Sequence, residues 1–524
     1  MLSAFFHVLQ LMRAAFVLAR EGVFSGIDPL IVPPGMRPAL AFARLIGRRG
    51  TRDTAERVAR ALERLGPSYV KFGQFLATRP DLVGTSLARD LETLQDRMPP
   101  FPRAVAVRIV EATLERPLAA VFTQFSEPVA AASIAQVHKA VLASGEHAGR
   151  EVAVKVLRPY VQRRFRRDLT LFYFAARQAA RFLPAAKRLK PIEIVDVLAR
   201  SVALEMDLRL EAAALSEMAE NTRDDPGFRL PAPYWDLTGR DMLTMAWIDG
   251  IPLSDLERLS AARIDLPALG RTVIQTFLRH ALRDGFFHAD MHQGNLFASP
   301  EGELIAVDFG IMGRIGLNER RFLAEILFGF ITRDYHRVAE VHFEAGYVPA
   351  NHSVEDFAQA IRAIGEPIHQ KTADQISMAR LLTLLFEITE LFDMKTRTEL
   401  VMLQKTMVVV EGVARTLDPH LDMWSTAEPV VRGWIERNLG PLGRLHEAGS
   451  DLLGLGRQAL KMANLAQRGE RLLQDVEQAG LDGLRLSAES IEAIGRAQAR
   501  HARFGHLALW AIAALLAVIV IEVL

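Results

Sequence analysis

FFHADMHQGNLF at residues 286–297, followed by LIAVDFG at residues 304–310, decides how this chain is read. Asp290 and Asn295 stand five apart, and Asp308 lies thirteen beyond Asn295. The apolar run Ile305–Val307 reads as a strand that delivers Asp308 to its end. Phosphoryl transfer from Mg-ATP needs this set: one carboxylate at the acceptor, an amide and a second carboxylate on the metal. Mg²⁺ is a hard cation that takes oxygen ligands, which Asn295 and Asp308 supply.

Upstream, VAVK at 152–155 alternates as a strand, with Val152 and Val154 on one face and Ala153 and Lys155 on the other. Lys155 can then reach from the sheet to a phosphate. With Asp290, Asn295 and Asp308 it matches the kinase set in order, type and spacing. A competing reading takes His288, Asp290 and His292 as zinc ligands, but no second ligand cluster completes it. Two absences weigh against an ordinary protein kinase. In place of a glycine-rich loop before Lys155 stands VAAASIAQVHKA, residues 129–140, where Cβ atoms limit how closely backbone N–H groups approach phosphate. No A-P-E follows D-F-G, and IMGRIGLNERRF enters a helix too soon for a peptide-docking segment.

The remainder bounds the answer. The chain has 524 residues and weighs 58.2 kDa, enough for about three domains. It is 50% hydrophobic and 24% charged, which excludes a disordered chain or a fibre. A net charge of +1 gives no overall pull toward nucleic acid. The absence of cysteine excludes disulfides, thiol nucleophiles, iron–sulfur clusters and cysteine zinc sites, and is compatible with a cytosolic face.

Residues 1–20 read as an amphipathic helix with Ser3, His7, Gln10, Arg13 and Arg20 in one arc, docked on the protein or lying on a membrane surface. The uncharged run 507–521 would cover about 22 Å as helix, short of a hydrocarbon core of roughly 30 Å. Counting from Phe504 to Leu524 gives a marginal span. Arg496, Arg500 and Arg503 before it would keep the preceding chain in the cytoplasm. Strand pattern appears at 121–125, 136–142, 151–157, 242–248 and 304–307, and 318–420 is nearly all helical. The expected fold class is α+β, a bilobal protein-kinase-like fold with a helical N-terminal extension and a transmembrane or membrane-dipping C-terminal helix. Its segments are an amphipathic helix at 1–30, the extension at 31–118, the N-lobe with a helical insertion at 119–250, the helical C-lobe at 251–440, an amphipathic tail at 441–503 and a membrane segment at 504–524.

From about 60 to 420 the chain resembles the UbiB family of atypical kinases, also called the ABC-one-like or aarF-domain family. LGPSYVKFGQFLATRPDL at 65–82 is similar to its K-x-G-Q motif, AAASIAQVH at 130–138 to its alanine-rich loop, and LEMDLRLEAA at 204–213 to its E-x-D element, followed by Glu211. HADMHQGN and DFG complete the set. The resemblance implies that Lys155 contacts nucleotide phosphates and pairs with Glu211, and that the long gap between them holds a helical insertion near 160–200. It implies that Lys71, Gly73 and Gln74 sit at the active site on the extension, with Glu205 and Asp207 holding Lys71. Helical spacing puts Glu205 and Asp207 on different sides. It implies that Asp290 is the catalytic acid and that Asn295 and Asp308 bind Mg²⁺. Nucleotide would lie on Ala131, Ala132, Ser133, Ile134, Ala135, Gln136 and Val137, with Met245, Ala246 and Ile248 at the adenine hinge. The cofactors implied are ATP or ADP and Mg²⁺. The partners implied are membrane lipids, prenylphenol precursors of ubiquinone and other quinone-biosynthesis enzymes, at the inner membrane if the cell is Gram-negative. Two departures stand out: Gln293 where the family usually has proline, and one apolar C-terminal segment where members tied to ubiquinone synthesis usually have two. Other readings are a small-molecule phosphotransferase and a nucleotide-binding pseudokinase scaffold.

Overall fold

The computed structural model describes residues 2–26, 37–48, 54–77, 91, 98–182, 190–368, 388, 391–394 and 398–440. Two compact units divide the chain, Met1–Glu436 and Arg437–Leu524. The first holds the sheets and the site; of the second, only residues 437–440 are described. Among the described residues no helix is long and apolar enough to cross a membrane. The segments 441–503 and 504–524, where the tail and the membrane segment are expected, lie outside them.

The strands β1 (Phe122–Ala131), β2 (Ala135–Leu142), β3 (Glu151–Leu157) and β5 (Met242–Ala246) form one antiparallel sheet in the order β1-β2-β3-β5. β3 runs through its middle, and its apolar composition follows from burial on both faces. On one face Val152, Val154 and Val156 pack under α5 (Arg103–Leu114) through Ala106 and Val110. On the other, Leu157 and Leu243 meet α7 (Val161–Phe182) and α8 (Pro191–Glu205) through Phe165, Phe172, Leu198 and Val202. These two helices are the insertion between Lys155 and Glu211. They continue into α9 (Leu208–Asn221), which carries Glu211 in its first turn.

The extension contributes α1 (Leu2–Arg20), α2 (Arg37–Ile46), α3 (Thr54–Leu65) and α4 (Pro67–Ala77). Gly66 separates the last two at φ +110, with the Arg164 guanidinium where a Cβ would stand.

In the helical lobe, α11 (Leu266–Arg279) is capped by Asp265, which accepts from the Ala268 N–H at 2.9 Å. Its buried face lies so close to α15 (Thr398–Leu417) that a Cβ on Gly270 would come within 3.3 Å of the Ala414 carbonyl. A π-helical turn, His280–Asp284, ends α11 ahead of the short strand β7 (Phe286–His288). Strands β8 (Leu296–Ala298) and β9 (Leu304–Ala306) join β4 (Phe228–Arg229) and β6 (Ile251–Pro252) in a second sheet, and β10 (Met312–Arg314) pairs with β7. After DFG only β10 precedes α12 (Leu317–Thr332), with no room for a docking segment. Beyond lie α13 (Tyr335–Glu344) and α14 (Val354–Ile368), whose core includes Tyr335, Val338, Phe357 and Ile361.

Burial pushes His138, His280, His288 and His342 below the ordinary histidine value of 6.5. The fold thus resists protonating them, while the unfolded chain takes up protons below that pH. Their contribution is therefore full above about pH 6.5 and is lost as pH falls. Glu211 and Glu411, pushed up by burial, act in the opposite sense. The histidine share is isolated by comparing wild type with His342→Leu in urea titrations from pH 7.5 to 5. Below about pH 6 the wild-type stability should fall more steeply, by up to about 1.4 kcal/mol per pH unit for one proton. Parallel curves would show that His342 titrates normally in the fold.

Candidate active site

Lys155 is paired across the sheet with Val137 on β2 and Leu243 on β5, and is 7% exposed. An ammonium enclosed this way persists only with anionic partners. Lys155 Nζ donates to Glu211 Oε1 at 2.7 Å and to Asp308 Oδ1 at 3.0 Å. Burial alone would push the lysine down, but the two carboxylates override it and hold Lys155 above its ordinary value. Burial likewise works to raise Asp308, yet Lys155 first, then Lys71, hold its carboxyl well below the usual range. Glu211 is pushed up by burial, with Lys155 opposing and Asp308 adding. Asp308 adopts a left-handed backbone (φ 64), so that its Oδ1 also accepts from the Gly310 N–H at 3.3 Å.

The loop 288–295 is ordered by its own polar groups. The Asp290 N–H donates to His288 Nδ1 at 3.0 Å, so the imidazole carries its hydrogen on Nε2 and directs it to the Val307 carbonyl at 3.2 Å. Asn295 Nδ2 donates to the Asp290 carbonyl at 3.1 Å, and the Val307 N–H to the Asn295 carbonyl at 2.9 Å. This ties the Asp290 loop to the strand that delivers Asp308. The Asp290 carboxylate is 38% exposed, with His292 Nε2 at 3.6 Å. Both nitrogens of His288 are occupied, and among the described residues no group of three or more His, Cys, Asp or Glu could hold a metal. The zinc reading of this loop fails on that geometry.

Lys71 lies on α4, 2.6 Å from Glu205, with both side chains largely buried. The helix is fixed to the insertion: Ser68 donates to Asp168 at 2.7 Å, and the Tyr69 and Phe72 rings lie 5.1 and 5.0 Å from Phe172. Burial, with Asp168 beside it, pushes the Tyr69 hydroxyl up to about 12. Gly73 is buried in the same helix, and Gln74 is half-buried. Asp207 departs from expectation. It caps α9, accepting from the Arg209 N–H at 3.2 Å, and pairs with the Arg209 guanidinium at 2.6 Å. Glu205 ends one helix and Asp207 starts the next, so their carboxylates serve different partners.

The alanine-rich segment is a tight β1–β2 turn. Ala131 pairs with Gln136, and the Ala132 N–H donates to the Ala135 carbonyl at 2.8 Å. Arg158 clamps the turn: its Nε and Nη2 donate to the Ala132 carbonyl at 3.0 and 2.8 Å, and its N–H donates to the Ile134 carbonyl at 2.7 Å. Ser133, Ile134 and Ala135 are buried, and Val137 is half-buried. The Gln136 side chain, expected on nucleotide, is buried and engaged elsewhere. Its Oε1 accepts from the Phe101 N–H at 2.9 Å, and its Nε2 donates to the Phe101 carbonyl at 3.2 Å. Met245 is buried near the end of β5. Ala246 and Ile248 are half-buried where the chain crosses between the lobes.

Sequence reasoning missed several groups that hold the site. Arg158 is one. Thr406, buried on α15, donates to the Ala289 carbonyl at 3.1 Å beside Asp290. Arg283 in the π turn donates to the Asn221 carbonyl at the end of α9 at 2.9 Å and pairs with Asp225. None lies in a chemical motif. For Glu211 a signal was present, as a lone acid in the buried stripe Leu208, Ala212, Leu215 and Met218.

The ABC1 atypical kinase-like domain matches residues 93–342, and the UbiB helical domain matches 361–422. Among solved structures, the Mycobacterium tuberculosis protein Rv3197 in complex with erythromycin is 25% identical. The match covers 69% of this chain and 91% of that one, with a TM-score of 0.49.

Proposed function

The chain belongs to the UbiB/ABC1 family of atypical kinase-like proteins, and from that premise we propose that it binds ATP with Mg²⁺ and supports ubiquinone synthesis at a membrane. The observation that carries the phosphoryl chemistry is Lys155 held between Glu211 and Asp308, beside the loop of Asp290 and Asn295. Oxygen donors on Asn295 and Asp308 would suit a hard cation that arrives with the nucleotide. Mg²⁺ would neutralise charge on the transferring phosphoryl group. Lys155 stays cationic across physiological pH and is free to exchange Asp308 for a phosphate oxygen. Glu211 keeps it aimed. Asp290 would orient the attacking hydroxyl or water and take its proton.

Lys71 places a second cation near Asp308, on a helix fixed over the site. That arrangement favours water or a small acceptor over a protein chain. The reading is therefore ATP hydrolysis, or phosphorylation of a small acceptor, near prenylphenol precursors dissolved in the bilayer. The kinase-like unit would face the cytoplasm, at the inner membrane in a Gram-negative cell, alongside other quinone-forming enzymes.

The test is the lipid profile of a deletion strain complemented with wild type or Asp290→Asn at matched protein levels. Wild type should restore ubiquinone, and Asp290→Asn should leave prenylphenol precursors accumulated. Restoration by both would make the chain a scaffold. Unchanged ubiquinone in the deletion strain would remove the pathway and leave small-molecule phosphotransfer.

A further inference from the structure

α1 packs on the protein through His7, 5.3 Å from the Phe174 ring of α7, and through Ala14, buried two turns on, while Arg13 and Arg20 of its polar arc stay exposed. Apolar residues that a helix on a soluble surface would bury point outward instead. Leu9, Met12 and Phe16, spaced i, i+3 and i+7, are 45%, 62% and 48% exposed. α2, packed beside α1, adds Phe42 and Leu45 at 63% and 76%. Scattered exposed apolar side chains need no explanation, but a stripe along one helix face does.

The two helices that carry the stripe are basic. Neither helix contains an acid, whereas Arg13, Arg20, Arg37 and Arg44 all lie in them. Arg177, one turn from Phe174 on the α7 face beside α1, is also exposed. Glu21, the first acid after α1, is buried and paired with Arg48 and Arg64, so it adds no negative surface.

We infer that α1 and α2 are the surface on which this chain lies against an anionic lipid bilayer, with Leu9, Met12 and Phe16 at the acyl boundary and the arginines among the phosphates. The inference rests on the membrane association proposed above and names the face that makes it. A second copy is the poorer occupant, because a two-fold contact through this face would set arginine against arginine.

The absence of cysteine makes the experiment clean. A Met12→Cys variant of the full chain takes a single environment-sensitive dye, with Phe16→Cys as a second position and Glu257→Cys, exposed on the short helix Leu256–Ala261, as control. Each is mixed with phosphatidylcholine vesicles with or without phosphatidylglycerol, and flotation is followed alongside iodide quenching. The expected result is a blue shift and loss of quenching at positions 12 and 16 on anionic vesicles, none at 257, and a weaker effect once Arg13→Gln and Arg20→Gln are added. A chain that floats while positions 12 and 16 stay open to iodide overturns this surface and leaves membrane association standing. A chain that does not float overturns both. Protection without vesicles assigns the face to a second copy if it depends on concentration, or to the chain's own remainder if it does not. Equal protection on neutral vesicles overturns the anionic assignment.

Discussion

Replacing Lys155 by methionine should destabilise the fold by about 3–5 kcal/mol, because it leaves Glu211 enclosed with no cation. The carboxyl is 7% exposed and has Asp308 beside it, so it must either protonate or draw water into the core. The loss should be greatest at neutral pH and shrink as pH falls toward 5, because burial raises Glu211 and protonation removes the stranded charge. Urea unfolding across that range reads this directly. The double variant Lys155→Met with Glu211→Gln should recover most of the lost stability and none of the nucleotide turnover. Should the single and double variants be equally unstable, the cost would lie in packing rather than in the stranded charge.

The second large effect is on turnover with little on folding. Asp308→Asn should lower ATP hydrolysis by about a hundredfold or more, since the interaction lost is one worth several kcal/mol to the transition state. Asparagine tolerates the left-handed backbone that Asp308 adopts, so the DFG turn should keep its shape. Steady-state hydrolysis with Mg²⁺ as the varied ligand is the measurement. A weakened Mg²⁺ dependence together with a near-normal melting temperature is expected. Undiminished turnover would remove Asp308 from the metal and leave it a structural partner of Lys155.

The placement of Lys155 beside Asp308, and of Asp290 with Asn295 on one loop, was legible in the sequence, and the groups that support them were not. Lys155, Asp290, Asn295 and Asp308 declare themselves because phosphoryl transfer restricts residue type and order, while strand alternation gives the lysine its face. The sheet and the helical run after 318 follow from periodicity alone. Arg158, Thr406 and Arg283 act through main-chain carbonyls distant in sequence, and any surface arginine or helix threonine looks the same before folding. Gln136 misled because a motif marks where a loop runs, not which way each side chain turns. In a hairpin that alternates, Gln136 falls on the face toward Phe101. Asp207 misled for a related reason: a carboxylate just before a helix has backbone N–H groups and Arg209 within reach before any distant lysine.

The junction of α8 and α9 has a mechanical consequence. Glu205 grips the extension through Lys71, and Glu211 grips Lys155, six residues along the same chain across one capped turn. Both carboxylates ride on a single lever whose fulcrum is the Asp207 cap. A force that lifts α4 from the cleft is delivered to the alignment of Lys155 without passing through the sheet. A displacement of α4 would thus be felt at Lys155, and substitutions at Glu205 and Glu211 should fail to add.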